Sequence, residues 1–393
     1  MGSHEFGVYV YVWTLVLVVG DLSDLGLATA AQRFVPEYNT RGTLDLLRGF
    51  LSRSRWIGVG SAAVLAAGGI GIVHLLKDSM SAHLIVPLSV AFATLPFYCL
   101  MQMQDGIARA HNWFYVALLP GYLVRHLIML TIIGAAWLLK FPADAETAVI
   151  AVAVALLVTV AGQTVVLNRK LAEAVPQGPK AHDVRGWFSV SLPILIVEGF
   201  YLLLTNTDVL MLQHFRSPED VAIYYAAAKT LVLIAFVHFA VSAAVGHRFT
   251  ECHVTGDREG LQRMLSDSIR WTFWGSLAAC AAILAAGPIL LSLFGQGFAD
   301  GYHLMLILAV GLMARSSLGP VERLLNMLGE QRACAAVYAT AFLINLALGI
   351  VLIPRIGVDG AAVATATALV VESVMLFIVT RRRLGYHVFI VGH

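Results

Sequence analysis

Long apolar runs separated by short polar stretches dominate this chain. Apolar segments long enough to cross a bilayer lie at 7–30, 56–76, 83–104, 113–139, 146–168, 187–212, 222–247, 271–295, 302–325, 333–353 and 360–380. Each holds about 20 residues or more, as a hydrocarbon core of about 30 Å requires at 1.5 Å per helical residue. The pattern therefore predicts eleven membrane-spanning helices. Isolated prolines inside them, such as Pro120, Pro193 and Pro320, are tolerated where neighbouring helices satisfy the freed backbone, and they mark expected kinks.

Arginines and lysines give the orientation. One set of alternate connections carries Arg33, Arg41, Arg48, Arg53 and Arg55, then Arg109, then Arg169, Lys170, Lys180 and Arg185, then Arg248, Arg258, Arg263 and Arg270, then Arg323 and Arg332, then Arg381–Arg383. The other set carries only Lys77, Lys140, Arg216 and Arg355. Nineteen against four places the first set in the cytoplasm by the positive-inside rule. The regular alternation also supports the helix count, because one missed span would invert every later loop.

Composition agrees on the solvent. Hydrophobic residues make up 59% of the chain and charged residues 13%, with a mean hydropathy of +0.80, whereas a soluble domain is about a quarter charged. A net charge of +2 gives no reason to invoke nucleic acid. Cys99, Cys252, Cys280 and Cys334 are scattered without metal spacing or an evident pairing and read as small hydrophobes.

The stretch from Leu25 to Trp56 recurs 215 positions on, without a gap. Arg33 and Phe34 fall on Arg248 and Phe249, Leu46 on Leu261, Arg48 on Arg263, and Arg55 and Trp56 on Arg270 and Trp271; upstream, Tyr9 meets Tyr224 and Ala28 meets Ala243. So long a period indicates two homologous lobes. Residues 1–168 form the first lobe, 169–186 a polar cytoplasmic linker containing Pro176, Gly178 and Pro179, and 187–393 the second lobe. The segment at 187–212 has no counterpart before Gly2-Ser3-His4-Glu5, which aligns with the outer turn Ser217-Pro218-Glu219-Asp220 and reads as native sequence. The expected design is all-α, two six-helix bundles with the first span of lobe one absent from this chain.

Catalytic chemistry finds little support. The chain has no phosphate-binding loop of the GxxxxGK[ST] type, no GxSxG, no HExxH, no Cys-rich cluster and no extramembrane segment of domain size. No metal, cofactor or catalytic residue is expected. Ionisable residues at bilayer depth are candidates for function. Asp21, Asp24, Arg125, His126, Glu198, Arg315 and Glu372 fall near mid-span, with Lys229, His238, Asp208 and Glu322 nearer the ends. Glu198, Tyr201, Thr205 and Asp208 share one helix face, as do Arg315, Glu322 and Asn326. Two readings stay open: mutual pairing inside a bundle, with Asp208 and Glu322 snorkelling, or a water-filled cavity for a polar or anionic substrate.

LGLATAAQRFVPEYNTRG at 25–42, TNTDVLML at 205–212, GPVERLLNMLGEQR at 319–332 and LIPRIGVDGAAVATA at 352–366 resemble the polysaccharide biosynthesis and O-antigen flippase family. This branch belongs to the superfamily that also holds multidrug-extruding transporters and lipid II flippases. The resemblance runs through nearly the whole chain and implies two six-helix bundles related by a pseudo-twofold along the membrane normal, alternating between inward and outward openings. The implied cargo is an undecaprenyl-pyrophosphate-linked oligosaccharide, and the implied location a bacterial cytoplasmic membrane. On that reading Arg125 and Arg315 are the phosphate contacts, and Lys229 is a further substrate-binding candidate. Glu198, Asp208 and Asp24 hold those arginines or couple to a proton or sodium ion, and Tyr122 and Tyr201 stack on sugars. The alternatives are a cation-coupled multidrug exporter, kept open by Asp21 and Asp24, and an intramembrane glycan ligase or polymerase.

Overall fold

The computed structural model describes residues 1–255, 257–328 and 330–390; the side chains at 239, 243, 244, 246–255, 326 and 327 are not among those described. Those of Arg248, Cys252 and Asn326 therefore lie outside the described residues. Eleven helical spans among the described residues are long and apolar enough to cross a membrane, the number the hydrophobic pattern predicts. The chain is an all-α membrane protein.

In order, the helices are α1 (Ser3–Ser23), α2 (Leu27–Arg41), α3 (Leu44–Leu75), α4 (Ala82–Ala110), α5 (Phe114–Leu119), α6 (Arg125–Leu138) and α7 (Ala145–Ala174), then α8 (Val184–Phe215), α9 (Pro218–Thr255), α10 (Arg258–Ser292), α11 (Tyr302–Ser316), α12 (Val321–Met327), α13 (Gln331–Ile356) and α14 (Val358–Arg383). Corresponding spans keep the sequence repeat. Ser3 and Pro218, Leu44 and Arg258, Ala82 and Phe298, Phe114 and Gln331, and Ala145 and Val358 open spans at offsets within two residues of 215.

Three expectations need correction. Residues 31–55, which the hydrophobic pattern leaves between the first two spans, are mostly helical, since α2 continues to Arg41 and α3 already opens at Leu44. Leu47, Phe50 and Leu51 bury one face of that opening, as Leu261 and Leu265 do at the start of α10. An amphipathic stripe thus extends each helix beyond its apolar run. The linker is likewise shorter than 169–186. Helix α7 reaches Ala174, with the Lys170 ammonium over the rings of Trp113 and Tyr115 at 5.2 and 5.0 Å, and α8 starts at Val184. Finally, among the described residues, irregular backbone accompanies Pro120 and Pro320 as expected and also interrupts the first span, whereas Pro193 interrupts nothing. The first span breaks at Asp24–Gly26, α5 passes into α6 through a π turn at Pro120–Val124, and α11 stops at Ser316 before α12. Pro193 lies inside continuous α8.

The chain forms two compact units, Met1–Gly199 and Phe200–His393, and the division falls within α8. In the first unit α4 is the hub, packing against α1, α2, α3 and α7. Close approach is needed because lipid supplies little hydrophobic drive for helix association. Gly106 of α4 supplies it, since a Cβ there would lie 2.1 Å from the Ala28 carbonyl oxygen of α2. In the second unit α14 packs against α9, α11, α12 and α13.

Candidate functional site

Polar side chains gather beside the irregular points of the spans. At the first, Leu25 and Gly26 both adopt left-handed backbone, φ 56° and 72°. That conformation costs a residue with a Cβ about 1–2 kcal/mol, and it reverses the chain sharply enough to end α1 and begin α2. The free N–H groups at the start of α2 need acceptors. Asp24 supplies them, with its carboxylate 2.7 Å from the Gly26 N–H and 3.2 Å from that of Ala28. Asp21, one turn earlier, accepts from the Tyr98 hydroxyl and the Gln102 amide, each at 3.0 Å. Thr29 of α2 donates to Glu198 of α8 at 3.1 Å. Ser61 of α3 reaches the Ser23 carbonyl, and Ser23 itself donates to Gly20. The first unit therefore concentrates three carboxylates around one broken helix.

Arg125 sits directly after the π turn, its guanidinium 5.3 Å from the centre of the Trp13 ring. Cation–π contacts of this kind contribute about 0.5–2 kcal/mol. Tyr122, inside the turn, is 71% exposed. Among the described residues no ion pair joins Asp24, Glu198 or Asp208 to either arginine, and each has other partners.

In the second unit Arg315 occupies the last turn of α11. Its Nη2 lies 3.2 Å from Glu322 Oε2 of α12, and its Nε 3.5 Å from Glu372 Oε1 of α14. Glu372 is 0% exposed and neither carboxylate oxygen accepts a hydrogen bond, so the arginine is its counter-charge. The guanidinium also lies over the Tyr201 ring at 5.2 Å with Nη1 3.4 Å from its hydroxyl, and Tyr201 packs on Tyr338 at 5.3 Å. Glu322 reaches Arg315 because the chain breaks between them; the continuous helix expected from their spacing is absent.

Asp208 was expected near a span end, with snorkelling as one of the two readings left open. Instead it is buried at 7% exposure, accepting from the Tyr224 hydroxyl, the Thr365 hydroxyl at 3.3 Å and the Val209 N–H at 2.8 Å. Lys229, one turn beyond Tyr225, rests its ammonium 5.0 Å from that ring. Sequence reasoning finds the charged members of these clusters from their depth. It misses the neutral ones, Tyr98, Gln102, Thr29, Trp13, Thr365 and Tyr338, although Tyr98 and Gln102 at i and i+4 on α4 offered a same-face signal.

Known proteins share this architecture. A multidrug resistance MATE family transporter of the MOP superfamily, solved facing inward, aligns over 98% of this chain and 95% of its own with a TM-score of 0.80 at 13% identity. The lipid II flippase MurJ in an inward closed conformation aligns over 96% and 81% with a TM-score of 0.74, also at 13% identity. At such identities the likeness establishes the fold.

The family described as polysaccharide biosynthesis protein matches residues 1–246, and the chain belongs to it. The MatE family matches residues 193–351. A Haloferax volcanii protein described as a probable low-salt glycan biosynthesis flippase, Agl15, is 23% identical over 233 residues, which take in 59% of this chain and 48% of that protein. The chain thus aligns with about half the length of that relative.

Proposed function

We propose that this protein is a flippase that moves an undecaprenyl-pyrophosphate-linked oligosaccharide, a polysaccharide or O-antigen repeat unit of lipopolysaccharide, across a bacterial cytoplasmic membrane by alternating access. The observation that carries the reading is Arg315, a guanidinium near the middle of an apolar span, 18% exposed and held by two carboxylates and a tyrosine face. An unpaired pyrophosphate cannot enter hydrocarbon without a cost of many kcal/mol. A planar, permanently charged fork offers it two parallel hydrogen bonds. Arg125 is the second phosphate contact and Lys229 an auxiliary one. Tyr201 and the exposed Tyr122 serve sugar faces, and the polyprenyl tail stays in lipid. Arg315 exchanges Glu322, the more exposed of its two carboxylates, for phosphate oxygens, while buried Glu372 keeps it in place. Asp24, Glu198 and Asp208 serve a coupling proton or sodium ion. No catalytic step or cofactor is part of this reading, and the names of the relatives are those of transporters.

Membership in the polysaccharide biosynthesis family and the name of the Haloferax relative support this reading. A cation-coupled multidrug exporter is the second reading, favoured by the carboxylates Asp21, Asp24 and Glu198 in the first unit. Purified protein in liposomes carrying a fluorescent polyprenyl-pyrophosphate oligosaccharide distinguishes them. Protein-dependent quenching, by an impermeant quencher, of label that starts in the inner leaflet supports the flippase. Transport of a lipophilic cationic dye driven by a cation gradient, with no movement of the lipid, replaces it with the exporter.

A further inference from the structure

The first unit carries an open cavity of about 890 Å³ at the end where α3 begins and α7 finishes, the arginine-rich side of the membrane. Its wall includes Arg48 and Arg55 of α3 and Lys180 of the connection to α8, and no aspartate or glutamate lines it. The cations are placed by specific contacts. Arg48 donates from Nε to the Pro176 carbonyl at 2.7 Å and from Nη1 to that of Pro179 at 2.8 Å, fixing the connection as the far wall. Arg55 donates from Nη1 to Asn168 of α7 at 2.8 Å, whereas its Nε is buried without a hydrogen-bond partner in the protein. Lys180 Nζ lies 3.4 Å from the Ser52 hydroxyl.

A second feature distinguishes this cavity from a simple basic patch. Moving along α3 away from the arginine-rich end, Arg48, Ser52 and Arg55 are followed by Trp56 and Val59, with Leu100 of α4 alongside. Cation and hydrogen-bond donors thus give way within about two turns to apolar side chains, and Trp56, 72% exposed, is the residue type that settles at membrane interfaces. A soluble anion uses only the charged half. A molecule with an anionic head and a hydrocarbon tail uses both, and guanidinium groups suit phosphate oxygens.

We propose that this cavity is a binding site for an anionic phospholipid of the arginine-rich leaflet, its phosphate on Arg55 and Lys180 and its acyl chain along Trp56 and Val59. The lining contains neither Arg125 nor Arg315 and the site takes a bilayer lipid, so it does not depend on which cargo the protein moves.

The test reconstitutes the protein in an equimolar mixture of phosphatidylglycerol and phosphatidylcholine, extracts it in mild detergent and measures the retained lipid by native mass spectrometry. Wild type is expected to keep phosphatidylglycerol selectively. With about 1 kcal/mol per cation near the surface, the double variant Arg55→Gln/Lys180→Gln is expected to retain about thirtyfold less. Lys180→Gln alone, at an exposed position whose replacement leaves the fold intact, is expected to show roughly a fivefold loss. Trp56→Ala, which keeps all the cations, is expected to lower retention as well. Unchanged phosphatidylglycerol in the Lys180→Gln and double variants, or equal retention of phosphatidylcholine by wild type, overturns the site. Displacement of the lipid by glycerol phosphate or inorganic phosphate at equal concentration overturns the lipid assignment in favour of a soluble anion.

Discussion

Arg315 Nε lies 3.5 Å from Glu372 Oε1, a carboxylate with no exposure to solvent. Removing one member of a buried pair typically costs 3–5 kcal/mol because the other charge is left uncompensated. Arg315→Ala is therefore expected to lower the thermal midpoint in detergent and the amount of folded protein, and adding Glu372→Gln is expected to recover most of that loss. Transport per folded molecule is expected to stay low in both, while Arg315→Lys recovers part of it, since the charge survives without the fork. Normal transport per folded molecule in the double variant would remove Arg315 from the substrate path.

Arg125 supplies the contrast, because its described contact is the face of Trp13 and, among the described residues, no carboxylate lies within ion-pair distance. Arg125→Ala is expected to cost no more than about 2 kcal/mol of stability yet to reduce flipping severely. A thermal melt alongside the liposome assay checks both halves, and a large stability loss with proportionate transport would make this arginine structural.

The Tyr224 hydroxyl donates to the buried carboxylate of Asp208. Tyr224→Phe preserves the ring and withdraws one donor. A loss of about 1–3 kcal/mol is expected, read as a lower denaturation midpoint. Thr365→Val, which withdraws the longer 3.3 Å bond, is expected to cost less.

The break in the first span depends on Gly26. Alanine there would hold a left-handed φ of 72° and place its Cβ 2.3 Å from the Ser191 carbonyl oxygen. Gly26→Ala is expected to destabilise by more than the 1–2 kcal/mol of the backbone conformation alone. Asp24→Ala, which removes only the cap, is expected to cost about 1 kcal/mol. Equal midpoints for Gly26→Ala and wild type would mean that the break rearranges freely.

Single cysteines report orientation. With the four native cysteines replaced, sites beside Lys140, Arg216 and Arg355 are expected to react with an impermeant maleimide added outside intact cells. Sites beside Arg48, Lys180 and Arg263 are expected to react only after lysis. The inverse pattern would reverse the orientation drawn from the arginines.

Hydrophobic runs reveal spans because the bilayer demands length and apolarity of every one of them, so the eleven helices and the repeat could be read directly. The extent of α3 and α10 was less legible. Their first three turns are mixed in polarity, and only Leu47, Phe50, Leu261 and Leu265 on a common buried face betray helix. Depth along the chain singled out Arg315, Glu372 and Asp208 as unusual. Their pairing was hidden for a physical reason: a three-to-four residue spacing presumes an unbroken helix, whereas Arg315 and Glu322 meet across a gap at Ser317–Pro320. The partners of Asp208 lie on α9 and α14, at sequence distances no periodicity connects.

The two repeats open their helices in register but interrupt them in different places: the first at Asp24–Gly26 and Pro120–Val124, the second at Ser317–Pro320. Backbone left unpaired in hydrocarbon costs several kcal/mol per group, so an interruption needs a local substitute, such as the Asp24 carboxylate on the Gly26 and Ala28 N–H groups. Each interruption adjoins a charged candidate, Asp24, Arg125 or Arg315. Descent from one ancestral unit would then have kept the helical frame common to both copies and altered it independently wherever a charge had to be housed. The departures from internal symmetry, more than the symmetry itself, become the record of what each copy was selected to do.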